Sequence, residues 1–132
     1  MTEGFSHLTP VNTRQASTLM SDGMIIKGSG IFISVLIPVD DQGNIVTSSF
    51  EEEVNAVFVE IQRTLAAADL GFEHIARLTY YVVGLNEDRV STLRKVRSGF
   101  LSTQTPPASA LIGVASLVGG VSIEIEILAV IP

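Results

Sequence analysis

Glu124 and Glu126 are the residues whose type and spacing best suit chemistry. They stand in Ile123-Glu124-Ile125-Glu126-Ile127. In a strand, strict alternation places the isoleucines on one face and both carboxylates on the other. Residues i and i+2 of a strand lie about 7 Å apart, so the two carboxylates are same-face neighbours. A carboxylate in otherwise apolar surroundings can serve as general acid or base. A half-exposed sheet shows the same alternation by default, with its glutamates simply solvated. Both readings stand at this point.

Other chemistries find little support. The chain has 0 cysteines and 2 histidines, His7 and His74, far apart and without acidic neighbours at ligand spacing. Thiolate catalysis and zinc–thiolate sites are excluded, and no metal site is expected. Gly28-Ser29-Gly30 lacks the third glycine of a dinucleotide fingerprint, and a strand follows it, so no cofactor is implied. Asp40-Asp41-Gln42-Gly43-Asn44 is turn chemistry without the remaining ligands of a calcium loop.

The elements that must position Glu124 read in order as strands, a long helix, a strand, a second helix and a last pair of strands. Residues 1–20 are polar and irregular, which predicts a flexible or draped segment. Met24–Lys27 and Ile31–Val39 read as strands, with Pro38 ending the second. Ser49 and Glu52 form a capping box, and Glu51–Glu53 match the dipole of the helix they open. Phe50, Val54, Val57, Phe58, Ile61, Leu65 and Ala68 recur at helical spacing as one buried stripe, and Gly71 is the expected stop. In the strand His74–Val83, alternation puts Ala76, Leu78, Tyr80 and Val82 on one face, with His74 at the surface. A second helix over Asp88–Phe100 buries Val90, Leu93, Val96 and Phe100. Its Arg89, Arg94, Lys95 and Arg97 read as a solvated face rather than a nucleic-acid patch, because no aromatic platform is interleaved. Gly119-Gly120 divides Ala108–Leu117 from Val121–Ile131 and suits a tight hairpin turn. The result is an α+β fold, a single domain over residues 1–132 with both helices on one sheet face.

Composition narrows the class. At 132 residues the chain can bury a real core, and 46% hydrophobic content predicts further burial between subunits. No apolar run reaches the ~20 residues that span a bilayer. A net charge of −6 argues against a general binder of phosphate backbones. The N-terminus carries no secretory pattern and the chain has no cysteine, so a cytoplasmic protein is the expectation.

Taken together, Ile31–Val46, the capped helix, Leu78–Asn86 and Pro106–Val130 resemble the RidA/YjgF family, the reactive intermediate deaminases, collinearly from about residue 20. Ile37-Pro38 and Ile123-Glu124-Ile125-Glu126 are the pieces that match best. The resemblance implies a chorismate-mutase-like fold, a mixed sheet of about six strands with two helices on one face. It also implies a homotrimer whose sheets form a central barrel, with ligand clefts between subunits. Active members hydrolyse 2-enamino and 2-imino acids, and an arginine on the penultimate strand holds the substrate carboxylate. Here Ser109 stands at that position, and the last arginine of the chain is Arg97. The other positions that the resemblance assigns to the ligand are Ser21, Ser34, Val35, Leu93 and Leu111. Of these, Val35 and Leu111 replace a glycine and a cysteine of the family pattern. Glu124 matches the family's acid, whereas Glu126 is not the residue the family uses. Arg14, or Arg94 if the helix register slips, would be the nearest replacement cation.

The expectation is therefore a homotrimer that binds a small metabolite and lacks 2-imino acid deaminase activity. The alternative is a deaminase or hydrolase of altered specificity that uses Glu124 as general acid or base. RNA cleavage fits least well with the acidic balance.

Overall fold

The computed structural model describes residues 7–12, 21 and 23–132. Six strands and two α-helices lie among them. The order is β1 (Leu8–Val11), β2 (Gly23–Ile26), β3 (Gly30–Leu36), α1 (Phe50–Ala67), β4 (Ile75–Val83), α2 (Glu87–Arg97), β5 (Ala108–Val114) and β6 (Ile123–Ile131). β3, β6, β4 and β5 form one mixed sheet in that spatial order, and β1 pairs with β2 in an antiparallel ribbon. β1 falls inside the segment expected to be irregular. Its register sets Leu8 opposite Ile26, and Leu8 packs with Ala76 and Val130. The remainder of residues 1–20 lies outside the described residues, apart from His7 and Asn12.

The last two strands do not form the hairpin expected from Gly119-Gly120. β5 runs parallel to β4 after the α2 crossover, and β6 inserts between β3 and β4, antiparallel to both. Burial explains the order. Ile123, Ile125, Ile127 and Ala129 of β6 are fully buried, and a central strand is the place that buries one whole face. β5 carries Ala, Ser and Gly and remains part-exposed at the edge. The two glycines do take positive φ, 81° and 73°, but in a turn that leads from β5 to the non-adjacent strand β6.

α1 starts at the expected cap, Ser49, but the Glu52 carboxylate turns to Ser48 rather than closing the expected capping box. The Ser49 side chain accepts the Glu52 amide, while Ser48 Oγ donates to the Glu52 carboxylate at 2.7 Å. The stripe from Phe50 to Ala68 packs on the sheet as one core. Its stop is not Gly71, whose backbone is extended. Asp69 takes the left-handed conformation, φ 58°, while Leu70 N–H bonds Leu65 O and Asp69 N–H bonds Ala66 O. That is a Schellman ending with aspartate where glycine is usual. His74 is likewise not a free surface residue. Its Nδ1 accepts the Gly71 amide at 2.9 Å and closes the turn that leads into β4.

Alternation in β4 breaks once. Ile75 stands opposite Ala129 and Arg77 opposite Leu128, so Ala76 is the extra residue of a β-bulge. One inserted residue exchanges the faces, so Ile75 joins the helix-side core and Ala76 joins Leu8 on the other side. α2 ends at Arg97, short of the expected Phe100, although Phe100 still packs into the core. In the turn after β3, Asp40 Oδ1 accepts the amides of Asn44 and Gln42, both at 2.9 Å. These bonds, Asn44's first, hold the Asp40 carboxyl below its usual range.

Candidate functional site

Register decides which side chains share a face. Tyr81 lies beside Glu124, Thr79 beside Glu126 and Arg77 beside Leu128. On the far side of β6, Val35 lies beside Glu126 and Ile33 beside Leu128. These residues form the sheet face that the helices do not cover. Its β3 rim is apolar, with Ile31, Ile33 and Val35 each more than half exposed. Glu124 and Glu126 are half-buried on this face, as the alternation requires. A depression of about 160 Å³ there is lined by Ile33, Arg77, Thr79, Glu126 and Leu128.

The opposite face, under the helices, receives the β5 residues. Ser109 lies beside Leu78 and Leu111 beside Tyr80. Leu93 is buried in the same core from α2. Ser21 reaches this end of the molecule too. Its Oγ donates to Pro106 O at 2.7 Å and its N–H to Pro107 O at 3.4 Å, two residues ahead of Ser109. The structure thus gathers Ser21, Ser109 and Leu111 at the β5 edge, with Leu93 in the core on the same face of the sheet. It does not bring Ser34, Val35 or Glu124 to them. Ser34 lies on the helix side beside Ile127, but on β3, at the other edge of the sheet. Three strand spacings separate those edges, about 14 Å. Glu124 and Val35 lie on the opposite face of the sheet from Ser109 and Leu111.

Arg14 lies outside the described residues. Arg94 is exposed on α2 in a groove with Asn86, Glu87, Val90 and Ser91.

The α2 bases are not one solvated face either. Arg94 and Lys95 are exposed, and Lys95 pairs with Glu51 at 3.6 Å. Arg89 instead donates to Val83 O and lies over the Phe50 ring, 4.6 Å from its centroid. Arg97 is buried, 7% exposed, with its guanidinium carbon 5.7 Å from the centroid of the Tyr80 ring. Tyr80 is itself 1% exposed and packs against Phe58, which stacks on Phe100 at 5.2 Å. Burial pushes the Tyr80 hydroxyl up to about 12, against a smaller opposing pull from Arg97. Among the described residues, Tyr80 Oη and Arg97 Nη2 are buried without a hydrogen-bond partner. Sequence reasoning missed this pair because a basic residue on an amphipathic helix reads as solvated unless its neighbours are known.

A second missed residue is Glu53. It is 3% exposed, and its Oε1 accepts the Ser122 amide at 2.7 Å, just ahead of the Glu124 strand. No group of three or more metal-ligating side chains occurs among the described residues, and no helix there is long and apolar enough to cross a membrane.

Known proteins share this architecture. The chain is 26% identical over 129 residues to mitochondrial protein MMF1 of Saccharomyces cerevisiae, an alignment covering 96% of this chain and 87% of the yeast protein. Two crystal structures show the fold at lower identity. The Rid-family protein YyfB of Yersinia pestis superposes with a TM-score of 0.84 at 20% identity, covering 95% of this chain and 99% of that one. RidA of an Antarctic Psychrobacter gives 0.71 at 21%, covering 93% and 94%. Residues 13–131 match the endoribonuclease L-PSP family, and with nearly the whole chain inside that match, the protein is a divergent member of the Rid/YjgF/L-PSP family.

Proposed function

We propose that the protein is a homotrimer that binds a small metabolite in clefts between its subunits and does not act as a 2-imino or 2-enamino acid deaminase. The observation that carries the second half is a serine, Ser109, on β5 at the position to which the family resemblance assigns the carboxylate-binding arginine of the deaminases. A serine hydroxyl cannot supply the charged, two-pronged contact of a guanidinium.

Assembly is supported by the separation described above. Ser109 and Leu111 sit at the β5 edge, and Ser34 and Val35 at the β3 edge of the same sheet. One cleft holding both sets needs the β3 edge of one copy beside the β5 edge of the next. The exposed Ile31, Ile33 and Val35 give such a contact its apolar surface. In this reading Glu124 faces the cleft from the uncovered face, no cofactor or metal takes part, and the protein is cytoplasmic, consistent with its lack of cysteine.

The experiment is an ammonia-release assay on 2-imino acids generated in situ by an amino-acid oxidase. Release at the uncatalysed rate is expected. Enzyme-dependent release that disappears in Glu124→Gln would instead establish the other reading, an altered-specificity deaminase or hydrolase with Glu124 as general acid or base.

A further inference from the structure

We infer that the cavity between the start of β4 and the segment joining α2 to β5 binds a single aromatic ring that carries a hydroxyl. The cavity measures about 170 Å³. An apolar cavity of about 150 Å³ is already large enough to admit benzene. Phe72, Ile75, Phe100 and Leu101 form its walls. The Phe72 and Phe100 rings lie 5.8 Å apart, and Phe58 stacks on Phe100 at 5.2 Å and tilts against Phe72 at 6.5 Å. The core buries Phe72 and Phe100 only in part, so each keeps surface for one more ring.

The rim decides what that ring carries. Glu73, Ser102 and Thr105 are its polar residues. The Glu73 carboxylate is 45% exposed and folds back over Gly71, with Oε1 3.8 Å from His74 Nδ1. That nitrogen already accepts the Gly71 amide, so it has no hydrogen to give Glu73. No lysine or arginine pairs with Glu73 among the described residues. The carboxylate is therefore an acceptor for an entering O–H and repels an entering anion. Ser102 Oγ accepts the amides of Gln104 at 3.1 Å and Thr105 at 3.2 Å, which leaves its own O–H to donate. A phenol hydroxyl suits both, as donor to Glu73 and acceptor from Ser102. None of these residues is one that the family resemblance assigns to a ligand, and all belong to one chain. The site is thus separate from the proposed cleft between subunits, and it disfavours a carboxylate.

Amide chemical-shift mapping of the isotope-labelled full chain tests it, with phenol as the probe and benzoate as the control. Phenol should shift the amides of Leu101, Ser102 and Thr105 with about millimolar affinity. Benzoate should bind roughly tenfold or more weakly, because it brings a second carboxylate to Glu73. Glu73→Gln is expected to weaken phenol about fivefold and to erase the discrimination against benzoate. Thr105→Phe places a ring in the mouth of the cavity and should abolish binding. Should Thr105→Phe fail to fold, the wild-type shift map decides the matter. Absence of saturable shifts with phenol, or shifts confined to amides elsewhere in the chain, would overturn the site. So would phenol binding unchanged in Thr105→Phe, or benzoate bound as tightly as phenol by the wild type. Because the cavity lies within one chain, each outcome reads the same for a monomer and a trimer.

Discussion

Tyr80 holds the clearest conflict at the scale of a single residue. Its ring is needed by Phe58 and by Arg97, while its hydroxyl is buried without a partner. Tyr80→Phe keeps the ring and removes an unsatisfied polar atom, so it should stabilise the ligand-free protein by about 1 kcal/mol, readable in urea unfolding. The pH dependence has a definite sign. Below the ordinary value of 10.0 the hydroxyl is neutral in both folded and unfolded chains. Above it the unfolded chain ionises first, so stability falls as pH rises from 10.0 through about 12. Tyr80→Phe should flatten that alkaline loss, and an unchanged profile would mean that another group titrates. Glu124 presents the opposite case. It is half-buried at an open sheet face, and Glu124→Gln preserves its shape. Its effect on stability should stay within about 0.5 kcal/mol in a thermal melt. A larger loss would reveal a cation paired with Glu124.

Among the elements, α1 is tied to the sheet at both ends by residues whose sequence role looks different. Glu53 sits in the first turn, where an acid suits the helix dipole, but its burial and its bond to the Ser122 amide make it a brace between α1 and β6. Glu53→Ala leaves that amide unpaired, and a loss of about 1.5–3 kcal/mol is expected in chemical denaturation. Loss of under 0.5 kcal/mol would show that solvent reaches the amide. At the other end Asp69 bears the strain of a left-handed backbone. Asp69→Gly should relieve it and raise stability by about 0.5–1 kcal/mol, measured the same way. Gly28 marks a further constraint. A Cβ there would lie 2.5 Å from Val130 Cγ1 and 2.7 Å from Ile131 O, so the turn between β2 and β3 presses directly on β6.

For the whole molecule, the telling feature is a sheet with one face under two helices and the other only partly covered. The β1–β2 ribbon packs on the latter around Ala76, Leu128 and Val130, while Ile31, Ile33 and Val35 stay exposed. Under the proposed assembly these residues are interfacial. Ile33, 64% exposed in the single chain, is the sharpest probe. Ile33→Lys should leave the secondary structure intact and shift light scattering from about three times 14.1 kDa to one. A wild-type monomer at micromolar concentration, or a trimer undisturbed by lysine at this position, would refute the β3 contact.

Local patterns in the chain determined most of the elements. The capped α1 stripe, the β3 run ended by Pro38 and the alternation of β6 each state their own geometry, because a helix start, a proline and a period of two act over a few residues. Collinearity of those pieces was enough to place the chain in its family. Strand order was not legible. Gly119-Gly120 permits a turn but says nothing of which strand lies beside which, and only the competition for the sheet centre, won by the isoleucines of β6, decided it. The bulge at Ala76 escaped for a similar reason, since its sequence alternates smoothly and only pairing with β6 shows the extra residue. The candidate site shows the same division. Glu124 could be named from its type and spacing and Ser109 from the family resemblance, but that they lie on opposite faces of one sheet follows from register. Arg97 looked like one more solvated base, because charge and spacing are properties of a helix alone. Its burial over Tyr80 depends on what the sheet places beneath it, and that is settled only when the helix is packed.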